Sequence, residues 1–181
     1  IGRLPKVTAS LANSGGIYLG KNFHFDLVRP GLALYGSVPG HLQNNLANCI
    51  SLYGRVLQIR EVDKGQLVGY GGTYKITKRS RIATIGVGYA DGYQRSLSGL
   101  STVFHHDSPL PVVGRISMDS ITVDISSLPD NKLKEGNFVE LLGKNFTIDQ
   151  AASLAQTVPY EMITGLGRRH YRYYNQIKDG L

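Results

Sequence analysis

Residues 48 to 145 consist of short segments rich in β-forming side chains, separated by glycine or by Asp and Asn residues. Many short segments of this kind, each ended by a turn, are typical of an antiparallel barrel or sandwich. The sequence therefore predicts a mainly β domain in this part of the chain. The predicted strands cover residues 51–60, 66–70, 81–87, 110–113, 121–125 and 138–142.

The beginning of the chain follows a different pattern. Residues 6–12 are apolar enough for a buried strand, residues 13–16 have turn chemistry, and a short helix is predicted at residues 17–19. Residues 26–35 contain a further strand candidate and an apolar run. Strand, loop, short helix and strand are typical of an α/β unit, and one such unit cannot close a sheet. We expect residues 1–38 to be the end of a larger α/β domain.

The polar, Pro- and Gly-containing stretch at residues 39–48 predicts a linker, and residues 39–181 form the predicted second domain. Helix is predicted again near the end of this domain. Thr147 and Gln150 fit a capping box, in which each side chain satisfies a free backbone N–H, and the helix would continue to residue 156. Pro159 suits the first turn of a second short helix because proline lacks an N–H donor.

The composition restricts the classes of partner. With 41% hydrophobic and 18% charged residues, the chain is typical of a soluble globular protein. No apolar stretch approaches the roughly 20 residues that a membrane-spanning helix needs, so no membrane partner is predicted. A formal charge of +7 raises the hypothesis of nucleic-acid binding, but the Lys and Arg residues are mostly spread out and no nucleic-acid-binding motif accompanies them. A solvated face, or a surface that attracts anionic small molecules, is the favoured interpretation.

The single cysteine and the first residues of the chain give two further indications. Cys49 is the single cysteine, which excludes an intramolecular disulfide and suits a cytoplasmic location. The chain begins at Ile1 with neither a starting Met nor a signal peptide. We interpret the sequence as a piece of a longer protein.

Two segments near the beginning have the residue types of an anion site. Residues 12–16 place Asn13, Ser14 and two glycines between a strand and a helix, where backbone N–H groups and a hydroxyl can hold a phosphate. Residues 28–31 place Arg29 at a strand end, just before a glycine that allows close backbone approach. Taken singly, an ordinary turn and a surface arginine explain these two segments as well.

Tyrosines flanked by glycines occur in two later segments, residues 69–74 and 86–93. Glycine on both sides of a tyrosine removes packing neighbours and allows the phenol to project from a bent backbone. A tyrosine that accepts a proton must lose its own well below its free pKa of about 10, so it needs a nearby cation. Each segment by itself is also compatible with ordinary aromatic packing.

Taken together, in this order and at these separations, these segments resemble the alanine racemase family. The resemblance covers essentially the whole chain and is carried by residues 11–14, 28–36, 68–74, 88–92 and 114–119. It implies a pyridoxal 5'-phosphate enzyme with a TIM-type barrel followed by a β-domain. Residues 1–38 would then be the last strand-helix-strand piece of the barrel, and residues 39–181 the β-rich C-terminal domain.

The resemblance also implies roles for individual residues. A permanent cation at the pyridine nitrogen keeps that nitrogen unprotonated, which restrains side reactions. For the cofactor, the resemblance implies that Arg29 is this cation and that Ser14 and the backbone of Gly31 and Leu32 bind the phosphate. For the substrate, it implies that Tyr70 removes the α-proton of the L-enantiomer and that the Met118 N–H binds the carboxylate. The residues that would line the substrate entryway are Tyr89, Arg95 and Arg115.

The chain departs from the family pattern in three places. Ser10 stands where many members have His, and Gly167 stands where some members have a Tyr that touches the phosphate. The lysine that forms the Schiff base lies in a Lys-x-x-Ala-Tyr-Gly setting in the barrel, and the chain contains no such segment. We therefore expect the chain to be inactive alone. The intact protein is expected to be a homodimer with composite sites that interconverts L-alanine and D-alanine and supplies D-alanine for peptidoglycan.

Alternatives from the same sequence remain open at this point. A close variant is a broader amino-acid racemase of the same fold. Two alternatives belong to other classes of protein. One is a basic all-β module whose tyrosines stack nucleic-acid bases, and the other is a non-catalytic β-domain for binding or dimerisation. A groove for bases favours Lys and Arg alternating with aromatics on adjacent strands, whereas here the tyrosines lie between glycines.

Overall fold

The computed structural model describes residues 7–38 and 45–175. Its first part contains the strand β1 (Ser10–Asn13), the helix α1 (Ser14–Tyr18) and the strand β2 (Leu27–Arg29). The two strands pair in parallel, and the Asn13 side chain caps α1 by accepting a hydrogen bond from the Gly16 N–H. The apolar run after β2 is a short 3-10 helix, Leu32–Tyr35. Lys6 of the first predicted strand and residues 39–44 of the predicted linker lie outside the described residues.

The rest of the chain is built on one antiparallel sheet. Six strands lie side by side in the order β8-β7-β10-β3-β6-β9, and each neighbouring pair is antiparallel. A bridge between Val112 and Val123 joins the two edge strands, so the sheet nearly closes on itself. This confirms the predicted antiparallel β domain and shows that, of the predicted barrel or sandwich, it forms a nearly closed barrel. The strands are β3 (Leu52–Val62), β4 (Leu67–Val68), β5 (Tyr74–Lys75), β6 (Ser80–Ile85), β7 (Thr102–His105), β8 (Ser108–Pro111), β9 (Ile121–Asp124) and β10 (Phe138–Leu142), with β4 and β5 pairing as a separate hairpin.

Two short helices close one side of the barrel. In α2 (Ile148–Leu154) the Thr147 hydroxyl and the Gln150 side chain form the predicted capping box, and α3 (Pro159–Gly165) begins at the predicted proline. Both helices bury apolar side chains in the main core, together with the inward faces of the strands. The Ser37 hydroxyl donates a hydrogen bond to Asp149, which ties the first part of the chain to α2. None of the helices in the described ranges is long and apolar enough to cross a membrane.

Tyr93 lies in the core of the barrel with none of its surface exposed. It belongs to the second glycine-flanked segment, but its phenol points into the protein and not out of it. Its hydroxyl has no hydrogen-bond partner among the described residues. Burial raises the pKa of the Tyr93 phenol to about 12, and the Ser101 side chain opposes a smaller part of that shift.

Replacing Tyr93 with phenylalanine should therefore leave the stability at neutral pH unchanged, or raise it by about 1 kcal/mol, because the lost hydroxyl is unpartnered. The unfolded tyrosine ionises near pH 10 and the folded one near 12, so the unfolded state releases its proton first. Stability of the unaltered protein should fall by roughly 3 kcal/mol more than that of Tyr93→Phe as the pH rises through this window. Urea unfolding at several pH values measures the difference, and equal pH slopes would contradict the assignment.

Candidate active site

The carboxyl ends of the two parallel strands bring Ser14 and Gly31 together. Ser14 directly follows β1, and its Oγ accepts hydrogen bonds from the N–H groups of Gly31 at 2.9 Å and Ala33 at 3.1 Å. The N–H of Leu32 donates no hydrogen bond within the described part of the chain. A Cβ added to Gly31 would meet no atom within 4 Å, so the space beside its backbone is open. In this corner, formed by Ser14 and residues 31–33, the N–H groups of Gly31 and Ala33 donate to Ser14 Oγ and the N–H of Leu32 is uncommitted among the described residues.

Arg29 lies at the same end of β2, next to this corner. Its Nε donates to Ser10 Oγ at 3.2 Å, and its Nη2 donates to the Leu11 carbonyl oxygen at 3.2 Å. The residue is exposed, so the guanidinium keeps N–H groups on its open side. Ser10 therefore accepts a hydrogen bond that restricts the orientation of the Arg29 guanidinium.

Tyr70 projects from a loop that is fixed by a close approach of two glycines. A Cβ on Gly69 would lie 2.7 Å from the Arg115 nitrogen, and one on Gly114 would lie 2.8 Å from the Gly69 Cα. Both glycines have positive φ, of 80° and 73°, so other residues would be strained there. The Tyr70 N–H donates to the Arg115 carbonyl oxygen at 3.2 Å, while 65% of Tyr70 remains exposed.

Two of the predicted entryway residues line one open pocket. The pocket has a volume of about 370 Å³ and is lined by Arg95, Ser96, Ser98 and Arg115. Neither guanidinium forms an ion pair with another residue in the described ranges. The pocket is thus positive and polar, which suits small anions such as amino-acid carboxylates.

The turn that carries the third entryway residue, Tyr89, is joined by backbone hydrogen bonds to the loop that carries Met118. A Cβ on Gly88 would lie 2.3 Å from the carbonyl oxygens of both Ser117 and Met118, so only glycine allows this contact. The Tyr89 N–H donates to the Ser117 oxygen at 3.1 Å, and the Ala90 N–H donates to the Met118 oxygen at 3.0 Å. The Met118 N–H, in contrast, has no acceptor among the residues described. It is free to bind a ligand.

Sequence reasoning missed three charged residues beside this contact. Arg169 forms ion pairs with Asp91 and Asp119, which follow Tyr89 and Met118 closely in the chain. The sequence alone does not indicate these partners, because they lie 78 and 50 residues away from Arg169. The available signal in the sequence was an acidic residue close to two of the candidate site residues: Asp91 after Tyr89, and Asp119 after Met118.

The predicted site residues thus form two groups. One contains Ser14, Arg29, Gly31 and Leu32; the other contains Tyr70, Tyr89, Arg95, Arg115 and Met118. Across residues 7–38 and 45–175, no hydrogen bond or ion pair joins the first group to the second. Within these ranges the two groups are therefore held by separate sets of hydrogen bonds.

Comparison with known sequences identifies the family. A family described as "Alanine racemase, C-terminal domain" matches residues 49–174, and one described as "Alanine racemase, N-terminal domain" matches residues 2–39. This chain belongs to the alanine racemase family. The chain is 47% identical to an alanine racemase of Brucella canis over 99% of its own length and 49% of that protein.

Solved alanine racemases share the fold. The alanine racemase of Bartonella henselae, with covalently bound pyridoxal phosphate, superposes with a TM-score of 0.87 and 44% identity, over 96% of this chain and 48% of that one. The alanine racemase of Bacillus anthracis, with bound L-Ala-P, superposes with a TM-score of 0.78 and 32% identity, over 87% of this chain and 42% of that one. The chain therefore spans about half the length of these alanine racemases.

Proposed function

We propose that the intact protein containing this chain is a pyridoxal-phosphate-dependent racemase that interconverts L-alanine and D-alanine. The chain would be its C-terminal part, with residues 1–38 ending the barrel and residues 39–181 forming the β-domain. The observation that carries the proposal is the Ser14–Gly31 corner beside Arg29, in a chain that belongs to the alanine racemase family. A cofactor with a phosphate and a pyridine nitrogen matches this combination of donors.

The corner fits a phosphate by its hydrogen-bonding chemistry. Ser14 is fully buried, and its Oγ already accepts two N–H groups. A phosphate oxygen is a stronger acceptor than a hydroxyl, so it would take the Gly31 N–H, and Ser14 would donate its O–H. The uncommitted N–H of Leu32 adds a further donor. Ser14, Gly31 and Leu32 would thus hold the phosphate.

Arg29 would donate a hydrogen bond to the pyridine nitrogen. Its contacts with Ser10 and Leu11 hold one side of the guanidinium and leave the exposed side for this bond. When bound, pyridoxal phosphate stabilises the negative charge that forms at Cα after proton loss. Arg29 would keep the ring nitrogen unprotonated, since arginine does not release its own proton, and would thereby moderate that stabilisation.

The residues of the second group would act on a small amino acid. The Tyr70 side chain, as a phenolate that has already lost its own proton, would take the α-proton of L-alanine on one face and become a hydroxyl, and a lysine elsewhere in the protein would act on the other face. The free N–H of Met118 would bind the substrate carboxylate. Tyr89, Arg95 and Arg115 would form the entryway, where the positive pocket attracts the carboxylate. The Bacillus anthracis relative with bound L-Ala-P supports a small amino-acid ligand.

A composite site is consistent with the lack of hydrogen bonds and ion pairs between the two groups in residues 7–38 and 45–175. The family resemblance implies that the β-domain of one subunit supplies the tyrosine to the barrel of the other, so Tyr70 would complete the site of a second subunit in a homodimer. We propose a cytoplasmic location, where the single cysteine stays reduced, and a role in supplying D-alanine for peptidoglycan.

The isolated chain should not racemise alanine, and should show no Schiff-base absorbance with pyridoxal phosphate at the cofactor site, because it lacks the Schiff-base lysine and supplies only one of the two bases. Production of D-alanine from L-alanine, followed by chiral chromatography, measures this, with the intact protein as the positive control. Substantial activity of the purified isolated chain would refute the division of roles. An intact protein that neither binds the cofactor nor racemises alanine would instead favour a non-catalytic basic β-domain for binding or dimerisation.

A further inference from the structure

Arg169 lies between two carboxylates that belong to different loops. Its Nε is 3.3 Å from Asp91 Oδ1, and its Nη2 is 2.6 Å from Asp119 Oδ1. These partners precede it by 78 and 50 residues, so Arg169 connects three distant parts of the chain. The guanidinium is a planar fork with several donors, and it can reach both carboxylates at once.

Asp91 connects Arg169 to the turn that carries Tyr89, because its carboxylate binds both. The carboxylate is nearly buried, and its Oδ2 accepts a hydrogen bond from the Gly88 N–H at 2.9 Å. The Asp91 carbonyl oxygen is also bonded by the His170 ring at 2.5 Å, so two consecutive residues of the C-terminal segment hold this turn. A nearly buried carboxylate needs a cation or hydrogen bonds to offset its lost hydration, and Arg169 supplies the cation.

Asp119 connects Arg169 to the loop that carries Met118, since it directly follows Met118 in the chain and forms an ion pair with Arg169. Ser117 and Ser120 close this loop by a backbone hydrogen bond of 3.0 Å, and the Ser117 hydroxyl donates to the same oxygen at 2.8 Å. Asp119 projects from between them to Arg169. The direction of the Met118 N–H is set by the geometry of this closed loop.

We propose that Arg169 is a positioning residue, which locks the Tyr89 turn to the Met118 loop and thereby aims the free Met118 N–H at the substrate. The inference rests on the proposed function, in which that N–H binds the amino-acid carboxylate. Ion pairs of exposed side chains add little to global stability, and both the Arg169 and Asp119 side chains are largely exposed. The nearly buried Asp91 carboxylate keeps its hydrogen bond from the Gly88 N–H, so we expect the loss of Arg169 to act mainly on the Tyr89 turn and the Met118 loop.

The test compares Arg169→Gln and Arg169→Lys with a matched control, Arg172→Gln. Arg172 belongs to the same segment but, among the described residues, donates to the carbonyl oxygens of Leu166 and Gly167 and to no carboxylate. Amide hydrogen exchange of the isolated chain, followed by NMR, should accelerate about tenfold at Gly88 and Ala90 in Arg169→Gln, while the amides of β3 keep their rates. Arg169→Lys should restore one contact and part of the protection, and Arg172→Gln should have no effect.

The same variants are then placed in the intact protein. Arg169→Gln should raise KM for alanine about tenfold and change kcat less, because a charge-assisted positioning contact acts on substrate binding. Unchanged exchange at Gly88 and Ala90, an equal acceleration in every strand, or an unchanged KM would each overturn the proposal. If the proposed function is wrong, the unaltered intact protein will not racemise alanine. The amide exchange rates still show in that case whether Arg169 holds the Tyr89 turn against the Met118 loop.

Discussion

Replacing Tyr70 with phenylalanine in the intact protein is expected to lower kcat for racemisation by about 10²–10⁴-fold, the usual contribution of a positioned acid–base group. The hydroxyl is the only group removed, and the loop is fixed by the Gly69–Gly114 contact, so its conformation should persist. Cofactor binding should also persist, because the proposed cofactor contacts lie at Ser14, Arg29 and Gly31. Steady-state kinetics and the absorbance of the bound cofactor measure both expectations.

Isotope exchange then assigns the face on which Tyr70 acts. In heavy water, Tyr70→Phe should still exchange the α-proton of D-alanine through the remaining lysine, while exchange from L-alanine should be mainly lost. Tyr74→Phe is the matched control, since Tyr74 lies in the same glycine-flanked segment and has no proposed role. Unaltered racemisation by Tyr70→Phe, or equal exchange from both enantiomers, would exclude Tyr70 as the base.

Replacing Gly88 with alanine is expected to lower the free energy of unfolding by about 3 kcal/mol, at the upper end for overpacking. The new methyl group would lie 2.3 Å from the carbonyl oxygens of Ser117 and Met118. Relieving that overlap separates two segments that exchange hydrogen bonds through the N–H groups of Tyr89 and Ala90. Urea unfolding of the isolated chain measures the loss.

Gly167→Ala provides the comparison for this substitution. A Cβ at Gly167 would meet no atom within 4 Å, and the φ of Gly167 is not positive. The free energy of unfolding of Gly167→Ala should therefore differ from that of the unaltered chain by less than about 0.5 kcal/mol. If Gly88→Ala behaves like Gly167→Ala, the close contact between the Tyr89 turn and the Met118 loop does not exist as described.

Much of the barrel was predictable because its strands are marked by local pattern. The β3 strand alternates buried and exposed residues over most of its length, and β10 has the predicted bounds. Two strands were missed. β5 contains only two residues, and β7 is defined by its pairing with β8 and β10 rather than by its own sequence. The strand predicted at residues 66–70 shrinks to Leu67–Val68, because the positive φ of Gly69 ends it.

The candidate site was predictable as far as its residues resemble a family, and not beyond. The contact of Ser14 with Gly31 follows from their places at the ends of parallel strands. Tyr93, in contrast, shares the glycine-flanked setting of Tyr89 but is buried, which only packing decides. The contacts of Arg169 depend on the folding of three distant segments onto one another. The division into domains and the role of each site residue remain predictions that the experiments above address.

Mixing two inactive variants of the intact protein tests the central claim most directly. One variant lacks the Schiff-base lysine, and the other carries Tyr70→Phe. If Tyr70 acts in the partner's site, each heterodimer has one site with both bases and one with neither, and random subunit exchange should restore about a quarter of the activity. Native mass spectrometry confirms that heterodimers form. Heterodimers without any recovered racemisation would contradict the claim that this chain contributes Tyr70 to the active site of a second subunit.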